Sequence, residues 1–490
     1  MSRAMDREAF VVRYGALYED SPWVAERAYD GGAAEGGDLG AVLRRVVERA
    51  GRDAQLALLR AHPDLGARLG SLSEASAGEQ SSAGLDRCSA AELEELATLN
   101  ARYVERFGFP FIIAVTGLDR GAILDGFRRR ADGAPDEEFA TALEEVHRIA
   151  ALRLAALDAE PDVARTPVAY DEVVRLAHAA LVRHGADDAH AAAIARNVAA
   201  AERDGSESHG LFRVAGYARA LTSGVIDGRA VPRITAGDGA VLRMDGQRCA
   251  APLAYETALP ELARRAHDKG IAALSLTNVA HFAALWPEVE WLAGEGLVAA
   301  ACTANFAYMA PFGGSRPMLG TNPFAFAVPG DPPLVVDMAT SAMARGDVMI
   351  AARRGRSVDA GVGLTRDGTP TTDATAILKG AQLPFGGAKG SAVALVVECL
   401  AGLCGGPFSD EATDASGSGV PVGSVFVAAL APEALGGPDA LRKAQAFLER
   451  LTRERGVRLP GARRHARRAH QGDLHVDEAT LAAVRRLADP

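Results

Sequence analysis

His62 lies at the predicted end of a helix, and this position affects the protonation of its imidazole. Pro63 follows it, and a residue before proline is pushed out of the α region, so the helix predicted over 54–61 ends at this point. The protonated form of a histidine is favoured at the carboxyl end of a helix. The position therefore suits acid–base catalysis and helix capping equally well.

Two further polar features of this region could hold an anion. Ser76 and Glu79 have the spacing of a capping box and Gln80 follows, so a hydroxyl, a carboxylate and an amide would meet at a helix amino end. A simple helix start is the alternative interpretation. Arg153 falls on the apolar stripe of another predicted helix, where a guanidinium needs an acidic partner or an anionic ligand unless its head reaches solvent. The apolar segment 107–111 is either core or one wall of a dry pocket.

A second polar cluster lies further along the chain. His209, Arg213 and Tyr217 are spaced four residues apart and are predicted to share one helix face, with Ser208 beside them. An arginine on such a face can clamp a carboxylate with two hydrogen bonds. A solvated helix face is the competing interpretation, above all for Tyr217.

Two more candidates follow predicted strands. His281 comes directly after an apolar run over 271–279, and ligands gather at the carboxyl ends of strands in open α/β sheets. Asp347 follows another predicted strand and a turn, where it would orient a histidine or cap a helix.

Lys389 is one of only four lysines among 53 basic residues. It lies in the glycine-rich turn 386–391, ahead of an apolar helix predicted over 392–403, and a helix amino end with a lysine suits an anion. The turn does not have the spacing of a phosphate-binding P-loop, and the chain contains no G-x-G-x-x-G fingerprint. A Rossmann fold is therefore not indicated.

The elements that must position these residues divide the chain in two. Helical periodicity without a convincing strand predicts an all-α domain over 1–160, and prolines and acids mark a linker over 161–167. Alternating helices and apolar strands then predict an α/β domain over 168–490. Charge supports the division: the net charge of the 490 residues is −10, and the first 160 residues alone hold 19 Arg against 28 Asp and Glu.

Composition excludes several classes of protein. An acidic or neutral surface does not suit nucleic-acid binding, which needs a basic face. The five cysteines form no C-x-x-C pair and no zinc-type cluster, so neither a disulfide framework nor a metal site is expected. The first ten residues do not resemble a signal peptide, and the most apolar run is too short to span a bilayer. We expect a cytoplasmic enzyme without a membrane partner, and a non-enzymatic binding module finds little support.

The first domain resembles the OHCU decarboxylase family, where OHCU is 2-oxo-4-hydroxy-4-carboxy-5-ureidoimidazoline. The motifs that carry the resemblance are Leu17-Tyr-Glu-Asp-Ser-Pro-Trp23, His62-Pro-Asp-Leu65, Ser76-x-x-Glu79-Gln80, Asn100-x-x-Tyr103 and Phe107-Gly-Phe-Pro-Phe111. The resemblance implies a lyase of urate degradation, a branch of purine metabolism, that releases CO2 from OHCU and forms (S)-allantoin without a cofactor or metal. His62 would then be the general acid/base and Glu79 its partner. The groups implied in substrate binding are Pro63, Ser76, Gln80, Arg153 and the backbone of Phe111, Ile112 and Ile113.

The second domain resembles the type-2 malate/L-lactate dehydrogenase family, which includes ureidoglycolate dehydrogenase and piperideine-2-carboxylate reductase. The matching segments are 204–213, 320–326, 337–341, 368–373 and 384–390. The resemblance implies NAD or NADP bound in a non-Rossmann fold, and a homodimer. Arg213 would hold the substrate carboxylate, near Ser208 and Tyr217. The residues implied in cofactor binding are Asn305, Asp337, Met338, Ala339, Lys389, Pro460 and Gly461.

The resemblance leaves open which histidine moves the proton, and on which substrate. His281 is one choice; in the other, His209 bonds to Ser208 and is assisted by Asp347. A decarboxylase in the same chain favours (S)-ureidoglycolate as the substrate, whereas the sequence over 281–290 favours a cyclic imine, piperideine- or pyrroline-2-carboxylate. A different 2-hydroxy acid, or a dimerising scaffold that has lost catalysis, are the remaining alternatives. The sequence thus predicts a bifunctional enzyme, most simply a decarboxylase joined to an NAD(P)-dependent ureidoglycolate dehydrogenase.

Overall fold

The computed structural model describes residues 7–35, 38–65, 76, 88–116, 118–159, 163–236, 238–454, 457–469 and 472–489. The chain divides into two compact units, residues 1–162 and residues 163–490.

The described part of the first unit is helical and contains no strand, as the sequence predicts. Its α-helices are α1 (Arg7–Tyr14), α2 (Trp23–Asp30), α3 (Leu39–Glu48), α4 (Arg52–Arg60), α5 (Ala90–Phe107), α6 (Arg120–Arg130) and α7 (Pro135–Ala159). They enclose an aromatic core in which Phe111 stacks on Phe127 with ring centroids 4.0 Å apart and Tyr103 lies edge-on to both.

Helix α5 shows why the aromatic segment sits where it does. Ser89 and Glu92 form the predicted capping box: the Ser89 amide donates to Glu92 Oε2 at 2.6 Å, and the Glu92 amide donates to Ser89 Oγ at 3.3 Å. Gly108 ends the helix with a φ of +79°, a conformation that glycine adopts without strain. The chain therefore reverses at once and buries Phe109 and Phe111 beneath the helix.

A seven-stranded mixed sheet forms the centre of the second unit. Its strand order is β2-β3-β4-β11-β5-β6-β7, and within it β3 and β4 run parallel while each other described pair is antiparallel. Two small sheets, β1-β12 and β10-β8-β9, complete the set. The strands are β1 (Arg165–Val168), β2 (Arg233–Ala236), β3 (Val241–Asp245), β4 (Ile271–Ala280), β5 (Val298–Thr303), β6 (Phe324–Val328), β7 (Leu334–Met338), β8 (Gly363–Leu364), β9 (Pro370–Thr371), β10 (Ala381–Gln382), β11 (Val422–Leu430) and β12 (Leu474–Asp477).

Helices cover the sheet and bury its apolar side chains. They are α8 (Tyr170–Arg183), α9 (Asp188–Arg203), α10 (Val214–Thr222), α11 (Ala251–Lys269), α12 (Trp286–Gly294), α13 (Arg345–Arg353), α14 (Ala374–Lys379), α15 (Ala388–Leu403), α16 (Pro432–Gly436), α17 (Ala440–Arg453), α18 (Ala462–Ala469) and α19 (Glu478–Ala488). Helix α11 packs on β4, and α12 packs on β5 and β6. Among the described helices, none combines the length and apolar character that crossing a bilayer requires.

The single helix predicted to carry His209, Arg213 and Tyr217 does not form. Two 3-10 turns, Glu207–His209 and Leu211–Arg213, precede α10 instead. The cause is a buried carboxylate: the Leu211 amide donates to Glu202 Oε2 at 2.9 Å rather than to a helical carbonyl. Gly210 makes room for that carboxylate, because a Cβ at this position would overlap Glu202 Oε2.

Candidate functional site

His62 follows the last turn of α4 and is buried. Its Nδ1 lies 3.1 Å from the carbonyl oxygen of Leu58. A carbonyl can only accept, so Nδ1 carries the proton and Nε2 keeps its lone pair. Burial lowers the pKa of His62 to about 4, against the smaller raising effects of the Leu58 carbonyl and the Glu19 charge. The free enzyme therefore presents Nε2 as a base.

A buried ion pair lies beside this imidazole. Arg153 on α7 bonds to Glu19 Oε2 at 2.8 Å, and Ser76 Oγ donates to the same oxygen at 2.9 Å. The Arg153 side chain also reaches Ser76 Oγ at 3.1 Å and the Ala16 carbonyl at 3.3 Å. The charges of Glu19 and Arg153 both act on the pKa of His62. The structure thus brings His62, Ser76 and Arg153 together, as the resemblance implies.

Glu19 is the residue that sequence reasoning missed. The position of Arg153 on an apolar stripe required an acidic partner or an anionic ligand, and the structure supplies the partner. Two signals pointed to Glu19: it lies within the Leu17–Trp23 motif, and Arg153 needed a counter-charge. The long separation in sequence between the two residues hid the pairing.

Two other candidates of the first unit, Phe111 and Ile112, lie in its hydrophobic core. Phe111 is buried against Phe127, and the carbonyl of Ile112 accepts from Arg130 at 2.8 Å. Pro63 and Ile113 are half-buried. The candidates Glu79 and Gln80 lie outside the described residues.

In the second unit, the Ser208–His209 turn meets the amino end of α13. His209 Nδ1 lies 3.3 Å from Ser208 Oγ. A Cβ on Gly346 would lie 2.7 Å from the Ser208 Cβ, so the two segments are in contact. Asp347, in the first turn of α13, has its pKa raised by burial, although the Ser208 hydroxyl and the Arg213 charge oppose the shift. The Ser208, His209 and Asp347 group that the sequence proposes is therefore assembled.

Arg213 lies at the start of α10, beside an aromatic ring. Its guanidinium lies 4.2 Å from the centroid of Phe282, and burial lowers its pKa to about 10. Phe282 lies edge-on to Tyr217 with centroids 5.4 Å apart. Arg213 Nε and Tyr217 Oη are buried and have no hydrogen-bond partner among the described residues. Donors left unpaired in this way suit a ligand with a carboxylate.

His281 completes the cluster from the end of β4. Burial lowers its pKa to about 4, and the positive charge of Arg213 lowers it further; the pKa of His209 is lowered to about 3 by burial, Arg213 and His281. Both imidazoles are therefore neutral near pH 7. The arrangement is one guanidinium close to two neutral imidazoles, which can bind a carboxylate and move one proton.

The amino end of α15 fits a nucleotide phosphate. Gly387 caps this helix with a φ of +60° and no side-chain hydrogen bond, so the first amides point outward without partners from the helix itself. Lys389 is in the first turn and its side chain is exposed. The helix begins at Ala388, earlier than the sequence predicts, which places Lys389 within the helix rather than ahead of it.

Two other segments implied in cofactor binding are neighbours. A Cβ on Gly461 would lie 3.0 Å from the Val335 carbonyl, so the Pro460–Gly461 turn lies against β7, which ends at Met338 and leads into Ala339. Asp337 accepts from the amides of Leu285 and Trp286 at 3.2 and 3.1 Å, and burial raises its pKa to about 6. In addition to its implied contact with the cofactor, Asp337 therefore caps the amino end of α12.

The remaining cofactor candidate, Asn305, uses its Oδ1 to accept from the Phe306 amide at 2.8 Å. Within the described ranges, no group of three or more His, Cys, Asp and Glu side chains could hold a metal ion.

Two family models match separate parts of the chain. The model for malate/L-lactate dehydrogenase matches residues 168–485. The chain belongs to this family. The model for OHCU decarboxylase matches residues 3–155, so this member carries an OHCU decarboxylase domain ahead of its dehydrogenase-family domain. Both resemblances and the predicted fold class are confirmed, and the chain combines a decarboxylase with an oxidoreductase.

Relatives of this malate/L-lactate dehydrogenase family member include several reductases. The Δ1-pyrroline-2-carboxylate/Δ1-piperideine-2-carboxylate reductase of Pseudomonas putida is 41% identical over 333 residues, which cover 66% of this chain and 97% of the relative. The crystal structure of Δ1-piperideine-2-carboxylate reductase from Pseudomonas syringae pv. tomato is 40% identical with a TM-score of 0.62, covering 66% of this chain and 99% of that one. A dehydrogenase from Sinorhizobium meliloti is 28% identical with a TM-score of 0.63, covering 67% and 99%.

Proposed function

We propose that the chain decarboxylates OHCU in its first unit and reduces a cyclic 2-imino acid with NAD(P)H in its second. The observation that supports the first activity is the buried His62 with a free Nε2 beside the Arg153–Glu19 pair. The second activity is supported by Arg213 close to two neutral imidazoles, in a unit related to cyclic-imine reductases.

Each group of the first site has a separate task in the proposed decarboxylation. A carboxylate leaves as CO2 more readily once it has lost its hydration shell, and the buried surroundings of His62 exclude water. Arg153, held in place by Glu19 and Ser76, stabilises negative charge that develops on the substrate. An anionic substrate beside Arg153 raises the pKa of His62, so Nε2 takes up a proton before the reaction. His62 then delivers this proton from Nε2 to one face of the carbanion, which gives one enantiomer of allantoin. Glu79 and Gln80 would orient the substrate.

The decarboxylase proposal is tested with OHCU made in situ from urate. The chain should speed the appearance of optically active allantoin, followed by circular dichroism, and His62→Ala should abolish the effect. His147→Gln is the matched control, since His147 is another buried imidazole of the first unit, bonded to the Tyr18 hydroxyl at 2.9 Å. Equal rates for the chain and His62→Ala would remove His62 from the mechanism.

In the second site, Arg213 clamps the substrate carboxylate through paired hydrogen bonds. A bound nicotinamide cofactor supplies the hydride for the C=N carbon. Lys389 and the α15 amides would hold a cofactor phosphate, and Asn305, Asp337 to Ala339 and Pro460–Gly461 would contact the rest. One imidazole of the pair His209 and His281 gives a proton to the imine nitrogen, and Arg213 keeps that imidazole neutral until an anionic substrate binds.

(S)-Ureidoglycolate is the second candidate substrate, because a decarboxylase domain of urate degradation occupies the same chain. Nicotinamide absorbance measured with piperideine-2-carboxylate, pyrroline-2-carboxylate, (S)-ureidoglycolate and malate, each with both cofactors, separates the candidates. We expect the cyclic imines to be turned over with the highest kcat/KM. Failure of NADH and NADPH to protect the second unit against heat would favour a scaffold without catalysis instead.

We also propose that two copies of the chain associate through α15. The exposed side of this helix is apolar over about two turns, with Leu395 50%, Val396 59% and Leu403 84% exposed and Cys399 between them. Contiguous exposed apolar surface of this kind marks an interaction site. A second copy is a self-complementary occupant, since a twofold axis sets the same helix face against itself.

A further inference from the structure

Behind His281 the fold buries polar atoms that have no hydrogen-bond partner. His281 Nε2, Tyr255 Oη and Glu288 Oε2 are all in this condition among the described residues, and their side chains belong to residues no more than 5% exposed. A buried polar group that is left unpaired destabilises the folded state. Buried groups of this kind are normally satisfied by ordered water.

The three residues extend from His281 in the candidate site to a separate cavity. The Tyr255 ring on α11 lies edge-on to the His281 ring, with centroids 6.2 Å apart. Glu288 is in the first turn of α12. Tyr255 and Glu288 both line a cavity of about 470 Å³, whose wall also includes Asn197, Glu256 and Trp291. This cavity is separate from the one of about 340 Å³ lined by Ser208 and Asp347.

Burial favours the neutral acid form of Glu288. Asp337 already accepts from the amide of Leu285, just before α12, and from that of Trp286, its first residue, so this helix end has a carboxylate partner without Glu288. Burial and the nearby Asp337 charge raise the pKa of Glu288 well above its ordinary range. A carboxylic acid both donates and accepts a proton, as does the Tyr255 hydroxyl. Neither side chain is used in the chemistry described so far.

We propose that Glu288, Tyr255 and ordered water form a proton path from this cavity to His281. The inference rests on the proposed reductase function, in which each turnover consumes one proton. Hydride from the reduced nicotinamide adds to the C=N carbon, and the imine nitrogen takes the Nε2 proton of protonated His281, which becomes neutral and keeps its other proton on Nδ1. The path returns one proton from solvent to His281 Nε2, and Glu288 and Tyr255 end each cycle unchanged. His281 rather than His209 is then the proton donor.

The first test needs no substrate. A crystal structure of the full chain should show ordered water bridging Glu288 Oε2, Tyr255 Oη and His281 Nε2. Infrared spectra recorded well above pH 7, where Glu202 with its pKa of about 7 is ionised, should contain the carbonyl band of a protonated carboxylic acid that shifts in D2O and is lost in Glu288→Gln. Glu256→Gln is the matched control at the same cavity, because Glu256 pairs with Arg196 at the surface and should leave the band intact. A dry gap between Glu288 and His281, or an unchanged band in Glu288→Gln, would overturn the path.

The second test is kinetic. Glu288→Gln keeps the shape of the side chain but cannot release a carboxylic proton, and Tyr255→Phe removes only a hydroxyl. Each should lower kcat at least about tenfold with little change in KM, and should enlarge the solvent deuterium isotope effect on kcat. Small weak acids in the buffer should partly restore kcat. Wild-type kcat and isotope effects in both variants would contradict the proposal.

Failure of the proposed reductase function and failure of the proton path give different results. If the chain reduces none of the imines with either cofactor, the proposed function fails, while the bridging water and the infrared band still decide whether the path exists. If imines are reduced but both variants behave as the wild type, the path fails and the reductase function stands.

Discussion

The imidazoles of His62, His209 and His281 all have a lowered pKa, although His209 is half-buried while the other two are buried. Burial holds the pKa of each below its ordinary value, and a nearby arginine adds to the effect. All three are therefore bases in the free protein. An anionic substrate that pairs with Arg153 or Arg213 offsets the arginine charge and raises the pKa of the adjacent imidazole, so the imidazole can become an acid once substrate is bound. Binding and proton transfer are linked at both sites by the same means.

The depressed pKa of His62 predicts how the stability of the first unit depends on pH. The pKa is about 4 in the folded chain and about 6.5 in an unfolded one. Between these values the unfolded state binds the extra proton, so the free energy of unfolding falls as the pH falls, by about 3 kcal/mol over the full interval. Hydrogen exchange of first-unit peptides across this interval, compared between the chain and His62→Gln, measures it. The variant should show a flatter profile, and parallel profiles would contradict the assignment.

Glu19 predicts a second effect at this scale. Glu19→Gln leaves the Arg153 charge buried without its counter-charge, which should lower the free energy of unfolding of the first unit by about 3 kcal/mol or more and weaken OHCU turnover. Glu48→Gln is the control, because its ion pair with Arg44 is about half exposed and should contribute less than about 1 kcal/mol. Urea denaturation, followed by the hydrogen exchange of peptides from the first unit, measures the free energy of unfolding of each variant. Equal losses would show that the Glu19 pair behaves as a surface pair.

At the scale of elements, local sequence patterns predicted individual helices and strands. Contacts between residues distant in the sequence determined the features that these patterns missed. The strand predicted over 271–279 is β4, and the predicted capping box does start α5. The helix predicted through 209–217 is wrong because a carboxylate from α9, Glu202, takes the Leu211 amide. The Glu19–Arg153 pair was hidden for the same reason: its members come from opposite ends of one unit. The spacing of apolar residues indicates which face of a helix or strand is buried, but it does not indicate which distant side chain contacts that face.

The interruption at Gly210 gives an element-scale prediction. In Gly210→Ala the new methyl group overlaps the Glu202 carboxylate, whose pKa burial raises to about 7. The turn carrying Arg213 must shift, so the second unit should lose about 1–3 kcal/mol and its kcat/KM should fall. Gly294→Ala is the control, since that helical glycine has open space around it and alanine favours a helix. Thermal unfolding and imine reduction measure both variants. A Gly210→Ala protein with native activity would refute the role of this turn.

At the scale of the whole molecule, each unit has its own hydrophobic core. The core of the first unit includes a cluster of aromatic rings, whereas the core around the sheet of the second unit consists mainly of Ala, Val and Leu side chains. The charge excess predicted to distinguish the units is concentrated in the first. Two units with separate cores and separate polar clusters can perform chemically unrelated reactions in one chain.

The exposed face of α15 predicts the state of association. Val396→Glu places a charge in the centre of the apolar face and should convert dimers to monomers in sedimentation experiments. Val231→Glu is a control, because Val231 is 69% exposed on a different part of the second unit. Dimers that persist in Val396→Glu would place the association elsewhere.

Because of the position of Lys389, covalent labelling of lysines can show whether the cofactor is bound. The chain has four lysines, Lys269, Lys379, Lys389 and Lys443, and all four side chains are exposed. An acylating reagent would therefore modify each of them in the free protein. A nucleotide phosphate seated on α15 would shield Lys389 alone and leave three internal standards in the same spectrum. The first unit has no lysine, so its helices would carry no label, and a single mass measurement would report on the second site without disturbing the first.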